Sequence, residues 1–283
     1  MSCRIADTFA LLKEENKGAF IPYIMAGDPS LTDSLHIMNA LADHGADILE
    51  VGFPFSDPTA DGISIQEAAK RALAMNVTLH DTFKLCRNFR EENDTTPIIL
   101  MGYANPLMRY GYKKAAQKMK ECGIDGVIIV DLPPEEEMEL RQYLEDFNIC
   151  TIRLIAPTST TERLESLLNN AQGFIYNIAI KGITGTASAN NADIKQRIAD
   201  IRRHSDLPIV TGFGIKNAAQ AKEILQLCDG VVIGSTLVDI CHTATEKGDD
   251  PARVAEIFAG EIAEIKVRKR SLIQKVKKLF NAA

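Results

Sequence analysis

The sequence predicts a (β/α)8 barrel, an α/β fold of one domain with an extra helix at its N-terminal end, and three observations predict it. Short apolar runs alternate with amphipathic segments along the chain. The runs are apolar on both faces, as strands of a parallel sheet covered on both sides must be. There are eight of them in 283 residues, with no linker or composition break between them, a count and length that suit a closed barrel better than an open doubly wound sheet. No G-x-G-x-x-G follows the first run, which argues further against a dinucleotide-binding sheet.

In order, the predicted strands are 20–25, 48–53, 98–101, 127–130, 151–155, 174–178, 209–211 and 231–233. The predicted helices between them are 31–44, 78–92, 113–122, 135–147, 161–169, 193–204 and 218–227, with a further helical pattern opening at Ser64. Before the first strand, the amphipathic segment Ile5–Leu12 is placed to plug the N-terminal face of the barrel. Three helix–strand junctions look alike: Gly45-Ala46-Asp47, Gly123-Ile124-Asp125-Gly126 and Asp229-Gly230. A glycine there ends the helix and lets the chain reverse. After Phe258 a final helix runs into a lysine- and arginine-rich end, so the barrel is assigned to residues 1–268 and a basic helical tail to 269–283.

Composition narrows the function. Hydrophobic residues make up 46% and charged residues 25%, ordinary for a globular enzyme. A net charge of −6 argues against a nucleic-acid partner. No segment has the length and apolarity of a membrane span, and the N-terminus lacks the apolar core of a signal peptide. The six cysteines are dispersed, with no C-x-x-C pair and no H-E-x-x-H motif in the chain. That pattern fits reduced thiols in a cytoplasmic protein without a metal site.

Chemistry concentrates at the expected C-terminal strand ends, where barrels of this kind hold their active sites. Glu50 stands inside the second strand and Asp61 in the Pro-, Gly- and Asp-rich loop that follows it. Burying an unpaired carboxylate is costly, so either Glu50 is salt-bridged and Asp61 caps the next helix, or the two form an acid/base pair. Glycine-containing loops follow the last three strands: 181–185, 212–217 and 234–236, the last with the Ser235 hydroxyl. Backbone amides exposed there suit a phosphate. Tyr176, in the sixth strand, either aims its hydroxyl into the same mouth or belongs to the core. Asn105-Pro106 and Asp131-Leu132-Pro133-Pro134 read as stiffened loops on the same face. No strand carries a lysine for Schiff-base chemistry.

These segments, in order, resemble the tryptophan synthase alpha chain. The resemblance rests on 18–29, the Glu50–Gly62 block with Ile65-Gln66, 101–106, 131–135, 182–185, 212–215 and 232–235. It implies a barrel lyase that cleaves indole-3-glycerol phosphate to indole and glyceraldehyde 3-phosphate. Indole would pass to a pyridoxal-phosphate beta subunit, within an alpha2beta2 assembly, to be joined to serine; the alpha chain itself would need no cofactor and no metal. Carried over, Glu50 matches the general acid/base, Asp61 the second catalytic carboxylate and Tyr176 a supporting tyrosine. Tyr23, Met101, Thr184, Gly185, Phe213, Gly214, Gly234 and Ser235 match substrate-binding positions. Pro54, Asp57, Pro58, Asn105, Asp131 and Pro133 match the surface that meets the beta subunit. The chain departs from the family pattern at Ala179-Ile180, where a serine is usual nearby, and at Ile183, where valine is usual. Two other readings are a stand-alone indole-releasing lyase and a catalytically silent barrel kept as a regulatory subunit.

Overall fold

A computed structural model describes residues 3–179, 191–212 and 214–266. Its strands are β1 Ala19–Met25, β2 Leu49–Gly52, β3 Ile98–Gly102, β4 Gly126–Ile129, β5 Cys150–Thr151, β6 Arg153–Ile155, β7 Ile175–Ile178, β8 Ile209–Gly212 and β9 Gly230–Ile233. Its helices are α1 Arg4–Glu14, α2 Leu31–Asp43, α3 Ile63–Ala74, α4 Leu79–Glu92, α5 Ala104–Tyr110, α6 Tyr112–Glu121, α7 Met138–Asp146, α8 Thr161–Leu168, α9 Asn191–Arg202, α10 Ala218–Leu225, α11 Ser235–Lys247 and α12 Pro251–Ile265.

Every strand pair is parallel, in the order β5-β4-β3-β2-β1-β9-β8-β7-β6. The two ends of that series, β5 and β6, are consecutive in the chain and separated only by Ile152. The predicted fifth strand is therefore present as two pieces: Cys150–Thr151 pairs with β4 and Arg153–Ile155 with β7. The break falls where the strand changes neighbours. The Ile152 amide still donates to the Val127 carbonyl at 2.9 Å. Eight barrel positions result, as predicted.

Two predicted features differ. Asn105-Pro106 is not a loop but the first turn of α5. A proline is tolerated there because a first-turn N–H has no intrahelical acceptor in any case. The last helix starts at Pro251 rather than after Phe258, capped by the Asp250 carboxylate accepting from the Ala252 amide at 2.9 Å. The basic segment from residue 269 onward lies outside the described residues.

Strand alternation divides the apolar residues into an inner set and an outer set. Leu49 and Val51 face the helices, while Ile21, Ile48, Ile99, Ile128, Phe174, Val210 and Val232 fill the barrel. Helix α1 closes the N-terminal mouth as predicted. It buries Ile5, Phe9 and Leu12 against that inner set, with the Phe9 and Phe174 rings 5.8 Å apart.

The three similar junctions prove to share an aspartate device. Asp47, Asp125 and Asp229 each precede a strand, and each bonds the start of the strand before it in both directions. The Asp47 carboxylate accepts from the Phe20 amide at 2.7 Å and its own amide donates to the Phe20 carbonyl at 2.9 Å. Asp125 does the same with Ile98 (2.9 and 2.9 Å), and Asp229 with Ile209 (2.9 and 2.7 Å). A cation from a neighbouring element neutralises each carboxylate: Lys266 on Asp47, Arg90 and Arg4 on Asp125, Arg202 on Asp229. The glycines play unequal parts. Gly45 and Gly123 take left-handed turns (φ 125° and 69°). Gly230 instead lies in β9, where a Cβ would come within 2.8 Å of the Ala19 Cβ.

Removing Asp125 strands a well-buried Arg90 guanidinium and a strand amide together. Asp125→Ala is expected to cost about 3–5 kcal/mol, read as a lower urea midpoint. Asp229→Ala, whose arginine is 45% exposed, is expected to cost clearly less. Equal midpoints for the two variants would contradict this ranking.

Candidate active site

The C-terminal ends of the strands open onto one cavity of about 860 Å³. Its lining brings together Tyr23, Glu50, Asp61, Met101, Tyr176, Gly214, Gly234 and Ser235. All were read from the sequence, and they lie on or just beyond β1, β2, β3, β7, β8 and β9. Thr184, Gly185 and Phe213 lie outside the described residues.

Glu50 occupies the inward face of β2, between outward-facing Leu49 and Val51, and is 1% exposed. Its Oε2 is buried and has no hydrogen-bond partner among the described residues. The salt-bridged alternative for this carboxyl is thus not what the structure shows. Burial, reinforced by the nearby Asp61 charge, raises its pKa to about 8. A carboxyl so placed holds its proton at neutral pH.

Asp61 sits in a more polar setting. Its carboxylate accepts a hydrogen bond from the Tyr103 hydroxyl at 3.1 Å, and that hydroxyl in turn accepts from the Ala60 amide at 3.0 Å. Burial raises the Asp61 pKa to about 6, and the Tyr103 bond works against the rise. Gln66, in the first turn of α3, donates to the Asp61 carbonyl at 2.8 Å. Helix α3 is itself tied down by Arg71, which grips buried Asp28 with two bonds of 2.7 Å. Two carboxyl groups in one cavity therefore rest in opposite protonation states near pH 7.

Both strand tyrosines lie over glycines. A Cβ on Gly52 would stand 2.1 Å from the Tyr23 hydroxyl oxygen, and one on Gly212 would stand 2.4 Å from that of Tyr176. Only glycine leaves room for these rings. Tyr176 consequently lines the cavity, which decides the question its periodicity left open. Burial pushes the pKa of both phenols up, so they remain protonated hydrogen-bond donors.

At the far end, Ser235 begins α11 with Gly234 at the N-cap. Free amides and the helix dipole converge there on any anion in the cavity. The Thr236 hydroxyl donates to the Ile215 carbonyl at 2.9 Å, locking the loop after β8 onto α11. The lining also includes the apolar side chains of Met101, Val130, Leu154, Ile178 and Val232. The arrangement can hold a flat apolar group beside two carboxyls and an anionic group against backbone amides. Among the described residues no cluster of three or more His, Cys, Asp or Glu is placed to hold a metal. Nor is any helix long and apolar enough to cross a membrane.

Outside the cavity, Asp57, Asn105 and Asp131 are exposed, Pro58 and Pro133 half-buried, and Pro54 buried. Asp131 also has a local task, accepting from the Ala104 amide at 2.8 Å and so holding the start of α5. Sequence reasoning assigned no role to Tyr103. The available signal was its position, directly after β3 at the C-terminal rim where side chains reach the cavity.

Comparison with known proteins agrees with this geometry. The chain matches the family model of the tryptophan synthase alpha chain over residues 9–267. It is 43% identical to the tryptophan synthase alpha chain of Caulobacter sp. (strain K31) over 261 residues, covering 92% of this chain and 95% of that one. It is 42% identical to the alpha chain of Acidiphilium cryptum (strain JF-5), covering 93% and 95%. Among solved structures, tryptophan synthase subunit alpha of Legionella pneumophila superposes with a TM-score of 0.87 at 35% identity, covering 94% of this chain and 98% of that one. With the barrel, the paired carboxyls and the family match agreeing over nearly all of its length, the chain belongs to the tryptophan synthase alpha chain family.

Proposed function

We propose that this chain is the alpha subunit of a tryptophan synthase and cleaves indole-3-glycerol phosphate by a retro-aldol reaction, with Glu50 and Asp61 as its catalytic pair. One observation carries the assignment of roles: a buried Glu50, whose Oε2 has no hydrogen-bond partner among the described residues, lines the same cavity as an Asp61 bonded by Tyr103, which leaves the first protonated and the second ionised near pH 7.

The bond to be broken joins indole C3 to the hydroxyl-bearing carbon of the glycerol chain. It breaks only if the ring first becomes an electron sink. Glu50, protonated at neutral pH, delivers its proton to C3, and positive charge develops at the ring nitrogen. Asp61, ionised and steadied by Tyr103, offsets that charge through a hydrogen bond from the ring N–H. The Glu50 carboxylate then accepts the proton of the glycerol hydroxyl as the C–C electron pair returns to the ring, releasing indole and an aldehyde. Tyr176 donates a hydrogen bond at the reacting end. Tyr23 and Met101 flank the ring, while the amides at Gly214, Gly234 and Ser235 grip the phosphate; the family resemblance assigns Thr184, Gly185 and Phe213 to substrate binding as well. Holding the substrate at both ends turns binding energy into alignment.

We also assign a beta subunit as partner, in an alpha2beta2 complex that resides in the cytoplasm. Pro54, Asp57, Pro58, Asn105, Asp131 and Pro133 form the face it meets. The chain requires no cofactor of its own, the pyridoxal phosphate belonging to the beta subunit. The net charge of −6 fits a protein that works without nucleic acid.

Glu50→Gln keeps the size of the side chain but cannot cycle a proton. Indole release is expected to fall by on the order of 10²–10⁴-fold with unchanged circular dichroism, and near-normal turnover would remove Glu50 from its role. The pH profile of kcat/KM should be bell-shaped, rising as Asp61 ionises around pH 6 and falling as Glu50 loses its proton around pH 8. Tyr103→Phe deletes the bond that lowers the Asp61 pKa, so the acid limb alone should move to higher pH; a limb that stays put separates Tyr103 from Asp61 ionisation. Mixing with a tryptophan synthase beta subunit should give a stable complex and faster indole release, measured by gel filtration and by assay. A rate indifferent to the beta subunit would favour the stand-alone lyase.

A further inference from the structure

Resting on the phosphate end of the site proposed above, we infer that Lys216 is a substrate-binding residue that selects for a doubly charged phosphate. It follows Gly214-Ile215 in the loop after β8 and lines the cavity together with Gly214, Gly234 and Ser235. The loop carrying it is fixed from two sides. Thr236 holds the Ile215 carbonyl at 2.9 Å, and the Lys216 amide donates to the Gln220 side-chain oxygen at 2.8 Å. The backbone is thus anchored while the residue is exposed and lines the cavity.

Charge in the cavity makes this lysine matter. Among the described residues two cationic side chains line it, Lys216 and Arg163. Arg163 is engaged, its guanidinium held by both oxygens of Glu135. Lys216 has no carboxylate partner within ion-pair distance among the described residues. Against it stand ionised Asp61 and also Asp239, which lies one turn into α11 and accepts from the Ser64 hydroxyl at 2.9 Å. A phosphate dianion entering such a cavity, on a chain of net charge −6, meets repulsion at both carboxylates. Neutral backbone amides offset part of it. A free ammonium at the same end supplies the opposite charge, strengthens the grip and steers the approach. Because it acts at the end remote from the reacting carbon, its contribution belongs to binding rather than to the chemical step.

The test compares the full chain, in complex with a beta subunit, with its Lys216→Ala and Lys216→Arg variants. Lys216→Ala should lower kcat/KM for indole-3-glycerol phosphate roughly tenfold to a hundredfold, the range for a charged hydrogen bond, with the loss falling on KM. Its salt dependence should flatten, and Lys216→Arg should restore most of the affinity. A loss confined to kcat, or an unchanged KM, overturns the proposal. Inorganic phosphate binding, measured by calorimetry on the same proteins, separates it from the activity assignment. Weaker phosphate binding in Lys216→Ala supports the lysine's role even if the substrate were different, and equal binding overturns it. Failure of the unmodified protein to cleave the substrate would count against the catalytic reading alone.

Discussion

A parallel barrel has no hairpins to set the register of its strands, so the register must be held by something else. Here it is held at the N-terminal face by charge. Asp47, Asp125 and Asp229 each clasp the start of the preceding strand through two hydrogen bonds, and each is neutralised by a basic side chain from a neighbouring element. The consequences reach the opposite face. Asp47 sets β1 and β2 in step, which stands Tyr23 beside Glu50, and β2 pairs with β3 so that Gly52 stands beside Met101; three side chains that line the cavity, Tyr23, Glu50 and Met101, are placed by these registers. The stable end of the barrel thereby positions the reactive one.

At that reactive end, two carboxyls are separated in ionisation by their surroundings. Glu50 lies on a strand facing inward, with apolar neighbours above and below and no hydrogen bond to its Oε2. Asp61 lies on a loop, where a tyrosine hydroxyl can reach it. Burial favours the proton at both, but more strongly at Glu50, while the Tyr103 bond partly restores the charge at Asp61. Their proximity widens the split, because the Asp61 charge adds to the rise at Glu50. The cleavage proposed for this chain uses both states at one pH, and the burial of Glu50 and the Tyr103 bond to Asp61 supply them.

The glycines of the site serve a purpose different from the one a turn-based reading assigns. Gly52 and Gly212 sit within strands and make space for the hydroxyl ends of Tyr23 and Tyr176. Gly234 exposes the start of α11. Pro106, read as a loop stiffener, is accommodated in the first turn of α5. For Gly52 and Gly212 the residue type was legible and its purpose was not, since the purpose is set by a side chain from another strand.

Periodicity and glycine placement alone determined the eight-fold alternation of strand and helix, the plugging N-terminal helix and the face on which the site lies. Those features depend on local propensity and on burying apolar surface, both written into short stretches of chain. Glu50, Asp61 and the glycine loops were likewise visible as residues out of character with their surroundings. Tertiary structure decided the rest. It broke the fifth strand at Ile152, where partners change from β4 to β7. It turned Tyr176 into the cavity, brought Tyr103 to Asp61 across 42 residues of sequence, and left Lys216 with no carboxylate partner among the described residues while Arg163 was engaged. Each of these rests on contacts between segments distant in sequence, and a contact of that kind has no period or motif by which one sequence could announce it.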